Sequence, residues 1–257
     1  MNKNQISTST GKKGPFLYHP EKMNVKIWRY LDLPKLIAFL EKKELFLCRV
    51  DKLNDSYEGT VPIQSNSYSE AIYSGEVNDF IEKNLVAFRK AARKIMYINC
   101  WHMGDDESEA MWKLYCGDNF GVALQSTYAT LYNTVKDKND YYLGCVQYID
   151  YLSDCLPSGN IWQPFFYKRK AFKHEQEVRL LYHQKDLMTV KKFFPIFEPG
   201  TIGNTLVVSP TKLINSIYVS PFAPTWYYDV IHSVLEKYSQ SIKIKWSNMR
   251  LPPNYYN

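Results

Sequence analysis

Residues 175–182 alternate strictly. Glu175, Glu177, Arg179 and Leu181 fall on one face of a pleated strand, and Gln176, Val178, Leu180 and Tyr182 on the other. Three ionisable groups in consecutive positions on one strand face are costly to bury unless they are paired or put to use. A basic approach precedes them, with Lys168, Arg169, Lys170 and Lys173. The functional reading depends on whether that face lines a cleft or meets water.

The same period of two recurs at 25–31, where Val25, Ile27, Arg29 and Leu31 share a face opposite Lys26, Trp28 and Tyr30. Arg29 thus sits on an otherwise aliphatic face. Either its stem packs while its head reaches water, or its guanidinium is held to grip a phosphate or carboxylate. A helical period follows at 34–43, with Pro34 in the first turn and Leu36, Ile37, Phe39 and Leu40 inward. A strand at 45–50 completes a β-α-β unit. Residues 51–59 form a polar loop rich in side chains that bond their own backbone. The stretch 68–95 is polar and charged, one or two helices with Phe80, Ile81, Leu85 and Phe88 inward.

Beyond it the pattern predicts a strand at 96–102 and a helix at 107–116. Asp106 and Glu109 have the spacing of a capping box there, and Met111, Trp112 and Tyr115 recur at helical spacing. Strands at 121–126 and 142–151 flank a helix at 127–135. The connection 187–203, with its Pro and Phe residues, is the candidate mobile lid. A strand at 214–219, a helix ending near 238 and a strand at 242–246 close the chain. The helix carries an apolar stripe of Trp226, Tyr227, Val230, Ile231, Val234, Leu235 and Tyr238. About eight strands with four or five helices imply an α+β (mixed) fold, a largely antiparallel sheet flanked by helices. Residues 1–15 read as a disordered tail and 16–257 as a single globular domain.

Composition changes the picture little. The 257 residues are 45% hydrophobic and 23% charged, as in ordinary globular proteins, and a net charge of +6 permits anionic partners without demanding them. Tyrosine and tryptophan are abundant, at 21 and 6, and such rings build cores or stack on bases, nicotinamide or sugars. Five cysteines without CxxC spacing read as reduced thiols of a cytoplasmic protein. His174-Glu175 opens like a zinc-protease motif, but Val178 replaces the second histidine and excludes it. No apolar run is long enough to cross a membrane, and the first residues lack the core of a secretory signal.

Several motifs stand in order along the chain. Trp28-Arg29-Tyr30 leads into Leu53-Asn54-Asp55-x-Tyr57-Glu58-Gly59. Then come Cys100-Trp101-His102, Met111-Trp112-x-x-Tyr115, Gly121-Val122-Ala123 and Val146-x-Tyr148. The last piece is Lys168-x-x-x-Phe172-x-x-Glu175-x-Glu177-x-Arg179. Together these resemble the bacterial family known as domain of unknown function 2971. Many relatives carry Pro-Phe-Glu where Ser56-Tyr57-Glu58 stands, and Cys-Phe-Ser where Cys100-Trp101-His102 stands.

A second resemblance, to NAD-dependent ADP-ribosyltransferases, lies in an Arg on the first strand, a Ser on a middle strand and a late Glu-x-Glu. It implies NAD as substrate, with Arg29 on the pyrophosphate, Ser126 in the site, and Trp112 or Tyr115 stacked on nicotinamide. Glu177 would hold the ribose, and Glu175 would orient or deprotonate the acceptor, a protein or nucleic acid. Asn54, Asp55, Glu58, His102 and Arg179 are further candidates for the same cleft. Two other readings stand beside it. In one, Arg29, Glu58, Glu175, Glu177 and Arg179 form a structural ion-pair network in a binding or regulatory module. In the other, Asp55, Glu58, Glu175 and Glu177 hold Mg²⁺ in a nuclease, although its usual Glu-x-Lys is here Glu177-Val178-Arg179. The transferase reading needs no metal.

Overall fold

The computed structural model of the chain describes residues 17–62, 65, 87–117, 119–156, 161–191, 194–197, 200–238 and 241–250. The expected tail at 1–15 and most of the stretch 68–95, including Phe80, Ile81 and Leu85, lie outside the described residues.

Local chemistry sets the first boundaries. Asp32 ends β1 (Lys26–Asp32) and caps α1 (Leu33–Lys42), its Oδ1 accepting from the Lys35 backbone N–H at 2.9 Å. Lys43 closes the helix in the left-handed region and returns its N–H to the Phe39 carbonyl. Leu36, Phe39 and Leu40 are buried, while Ile37, expected inward, is exposed. β2 (Glu44–Arg49) follows. β1 and β2 each run antiparallel to β3 (Met96–Met103), so the expected β-α-β unit has β3 between its two strands. Ser108, not Asp106, caps α2 (Glu109–Tyr115), and its Oγ accepts from Met111 N–H at 3.4 Å. The helix therefore starts two residues later than its sequence signature suggested. β4 (Gly121–Thr127) pairs with all of β1, and Thr127 caps α3 (Tyr128–Val135).

The expected strand at 142–151 is two strands. β5 (Tyr141–Cys145) and β6 (Gln147–Ile149) break at Val146, whose N–H donates to the Glu177 carbonyl at 2.8 Å. β6 then pairs in parallel with β7 (Tyr167–Arg169), and β5 pairs antiparallel with β8 (Glu177–His183). The connection at 187–203 carries a hairpin of β9 (Met188–Lys191) and β10 (Phe194–Phe197). β11 (Gly203–Val207), α4 (Pro210–Leu213), β12 (Ser216–Val219), α5 (Trp226–Lys237) and β13 (Lys243–Trp246) complete the order.

The architecture is α+β, with one mostly antiparallel sheet of nine strands. Its order is β11-β2-β3-β1-β4-β12-β13, with β8 paired to β3 and β5. The β12–β13 pair is parallel. The described residues divide into two compact units. The first draws on the described residues within 17–19, 47–99 and 138–204, the second on those within 20–46, 100–137 and 205–250. In the second unit Trp28, Tyr30, Met111, Trp112, Cys116, Ala123 and Tyr218 form a buried cluster. No helix among the described residues is long and apolar enough to cross a membrane.

Candidate functional site

The first unit concentrates charge at one place. Lys168 comes from β7, Glu175 from the 3₁₀ turn Lys170–Glu175, Glu177 and Arg179 from β8, and Glu58 from the loop after β2. Lys168 Nζ lies 2.5 Å from Glu175, 3.2 Å from Glu177 and 3.4 Å from Glu58. Arg179 is completely buried. Its Nε donates to Glu177 Oε1 at 2.6 Å and its Nη2 to Glu177 Oε2 at 3.0 Å. Its Nη1 and Nη2 also hold Glu58 at 2.7 and 3.1 Å, and Nη1 reaches the Phe165 carbonyl at 2.5 Å. All five guanidinium N–H donors are thereby engaged. Glu177 is locked as well, with its backbone N–H on the Tyr148 hydroxyl at 2.8 Å.

Two backbone features make this convergence feasible. Gln176 adopts the left-handed region (φ 39°, ψ 54°), so the chain turns between the two glutamates. Glu175 therefore precedes the strand instead of sharing its face, which corrects the alternation expected at 175–182. Both carboxylates still reach the same ammonium. Gly59 has φ 71°, and a Cβ there would lie 2.2 Å from the Phe165 ring. Only glycine lets the loop close on Phe165 and bring Glu58 to Arg179.

Electrostatics separate the members. Burial pushes the Glu175 carboxyl above its ordinary value, against the pull of Lys168. Burial alone would lower Lys168, but Glu177, with Glu58 and Glu175, holds it above its usual value. Nearby, Asp55 accepts from Arg169 Nη2 at 2.9 Å, and Asn54 is exposed. Lys168, which sequence reasoning did not single out as a site residue, is the centre of the cluster. The signal was present, since it opens the Lys-x-x-x-Phe-x-x-Glu-x-Glu-x-Arg pattern.

The remaining candidates lie in the second unit. Arg29 is half-buried on β1 and donates from Nη1 to the Cys100 carbonyl at 2.9 Å. Among the described residues it forms no salt bridge, and burial lowers its pKa, opposed by Cys100 and Tyr115. Tyr115 is 49% exposed. Trp112 is enclosed, edge-on to Tyr30 at 4.9 Å with its indole N–H on Glu107. Ser126 is fully buried and its hydroxyl donates to the Leu213 carbonyl at 2.5 Å. His102 is buried with its ring 6.5 Å from that of Tyr30. The structure thus gathers Glu58, Glu175, Glu177 and Arg179 in one unit, and Arg29, His102, Trp112, Tyr115 and Ser126 in the other.

No family model and no curated protein matches the chain, so the resemblance to the family of unknown function rests on its motifs. Among solved structures the chain is similar to DarT of Thermus sp. 2.9 in complex with NAD+. That likeness has 10% identity and a TM-score of 0.41, covering 91% of this chain and all (100%) of the other. It is similar also to that protein in complex with ADP-ribosylated ssDNA, at 9% identity and a TM-score of 0.42, covering 91% of this chain and 99% of the other.

Proposed function

We propose that the protein consumes NAD, transferring ADP-ribose to an acceptor or to water. The observation that carries this reading is Arg29, a half-buried guanidinium with no salt bridge among the described residues, while the first unit pairs its buried charges closely. A desolvated cation left without a counter-charge is costly, and an anionic ligand such as a pyrophosphate offsets that cost.

In this reading the bond from ribose C1′ to the nicotinamide nitrogen breaks, and nicotinamide leaves neutral with the bonding pair. The developing oxocarbenium charge is met by the fixed carboxylate of Glu177. The acceptor oxygen forms the new bond to C1′ and loses its proton to Glu175, whose carboxylate burial makes more basic than an ordinary glutamate. Tyr115, with its ring exposed, is better placed than Trp112 to stack on a ligand. The acceptor is a protein or a nucleic acid.

The binding-module reading has its own support in the saturation of Arg179, which is what a structural ion-pair network looks like. For a nuclease, Glu58, Glu175 and Glu177, three of the four carboxylates that would hold Mg²⁺, already pair with Lys168 or Arg179, and Asp55 pairs with Arg169. The test is nicotinamide release from NAD by purified protein, alone and with cell extract, with and without chelator. Release that survives chelator and is lost in Glu175→Gln supports the transferase. Protein that neither binds nor cleaves NAD puts the binding module first, and loss of activity on chelation points to the nuclease.

A further inference from the structure

The first unit contains a cleft of about 530 Å³, within the size range of small-ligand sites. Its walls include Tyr57, Ile149, Asp150, Tyr151, Arg169 and Lys170. No part of the NAD reading uses it. Three observations describe what it would accept.

The first is aromatic. Tyr57 meets Tyr151 edge-to-face with centroids 5.2 Å apart, and Tyr57 remains 41% exposed although the Arg169 guanidinium lies 4.4 Å over its ring. Ile149 and Val61 extend the apolar wall. Such a surface favours a flat ring system.

The second is charge. Arg169 is pinned by that stacking and by the bond from Nη2 to Asp55, which fixes the guanidinium before any ligand arrives. Lys170 keeps its ammonium largely exposed, with Asp154 no closer than 3.7 Å. Among the described wall residues the carboxylate is Asp150, and Asp55 and Asp154 lie beside the two cations outside the wall. The third is unfinished hydrogen bonding. Arg169 Nε and Asp55 Oδ2 are buried without a hydrogen-bond partner among the described residues. Buried polar atoms in folded proteins are rarely left so unless water or a ligand completes them.

We propose that this cleft is a nucleotide-binding site. A nucleobase lies against Tyr57 and Tyr151, and a 5′-phosphate meets Arg169 and Lys170. Stacking and a charge-assisted contact are separable, so each has its own variant. The probe is AMP, followed by intrinsic fluorescence and calorimetry on the full chain, with adenosine and inorganic phosphate as partial ligands. AMP should bind, and adenosine and phosphate should each bind at least about tenfold more weakly, the loss of one contact of about 1.4 kcal/mol. Tyr57→Leu and Arg169→Gln should each weaken AMP by a similar factor. Tyr57→Leu, at a partly exposed side chain, should unfold at the wild-type midpoint, whereas Arg169→Gln, which leaves the buried Asp55 carboxylate without its partner, should keep the wild-type circular dichroism at a lower midpoint. Glu175→Gln should bind AMP as wild type does. The proposal is overturned if AMP does not bind wild-type protein, if adenosine binds as tightly as AMP, or if both cleft variants retain full affinity. Failure of NAD cleavage with AMP binding intact removes only the transferase, and the reverse outcome removes only this site.

Discussion

Arg179 and Glu58 meet end-on, Nη1 and Nη2 donating to the two carboxylate oxygens at 2.7 Å and 3.1 Å, although 121 residues separate them in the chain. Neither is accessible, so the pair ties the loop after β2 to β8 from within.

That geometry sets the first prediction. Removing one member of a buried ion pair leaves the other uncompensated and costs about 3–5 kcal/mol. Glu58→Ala should therefore lower stability by that order, measured by urea denaturation. The sequence left Glu58 open between a cleft and a structural ion-pair network. A variant with an unchanged midpoint would favour the cleft.

Much of the fold was legible because its signals are local. The first-turn proline of α1, the alternation in β1 and the stripe of α5 depend on neighbours within one turn or two pleats. What was not legible depends on chain reversals and remote partners. Gln176 looks like any strand residue, and only its left-handed backbone moves Glu175 off the strand. Lys168 has meaning only beside carboxylates contributed by a loop, a turn and a strand. Glu-x-Glu-x-Arg announced a charged site, but spacing could not show that its arginine is consumed by Glu177 and the remote Glu58.

Gln176 gives the second prediction. A left-handed residue other than glycine carries a backbone cost of roughly 1–2 kcal/mol. Gln176→Gly should raise stability by about 1 kcal/mol after its own unfolded-state entropy is counted, and Gln176→Val should lower it. Equal thermal midpoints for glycine and valine would remove the strain argument.

The third concerns pH. His183 is buried near the Trp162 ring with neither ring nitrogen hydrogen-bonded among the described residues, and burial, with Lys185, lowers its pKa from 6.5 to about 4. Because the folded value lies below the unfolded one, the unfolded chain takes up the proton first. The contribution of His183 is fully present above pH 6.5 and is lost as pH falls towards 4. Glu175 has the opposite slope: its folded value is raised, so its ionisation costs stability as pH rises above the unfolded carboxyl value. Stability curves of His183→Phe should lose the acid-side fall, and those of Glu175→Gln should lose the decline on the rising side. Curves parallel to wild type would show that neither group is perturbed.

The last prediction sets Arg29 against Arg179. Both are arginines on strands, yet Arg179 is held by two carboxylates, and Arg29 forms no salt bridge among the described residues. A desolvated charge without a counter-charge costs folding free energy, so an apolar replacement of similar volume is commonly tolerated. Arg29→Met should therefore unfold within about 1 kcal/mol of wild type, or above it, whereas Arg179→Met should lose about 3–5 kcal/mol. Nicotinamide release should divide them differently. Arg29→Met should stay folded but turn over NAD about 10²–10³-fold more slowly, as expected when one preorganised electrostatic contact is removed. Arg29→Lys should recover only part of that, because an ammonium cannot make the paired contacts of a guanidinium. If Arg29→Met instead unfolds as readily as Arg179→Met, its role is structural, and the pyrophosphate assignment falls with it.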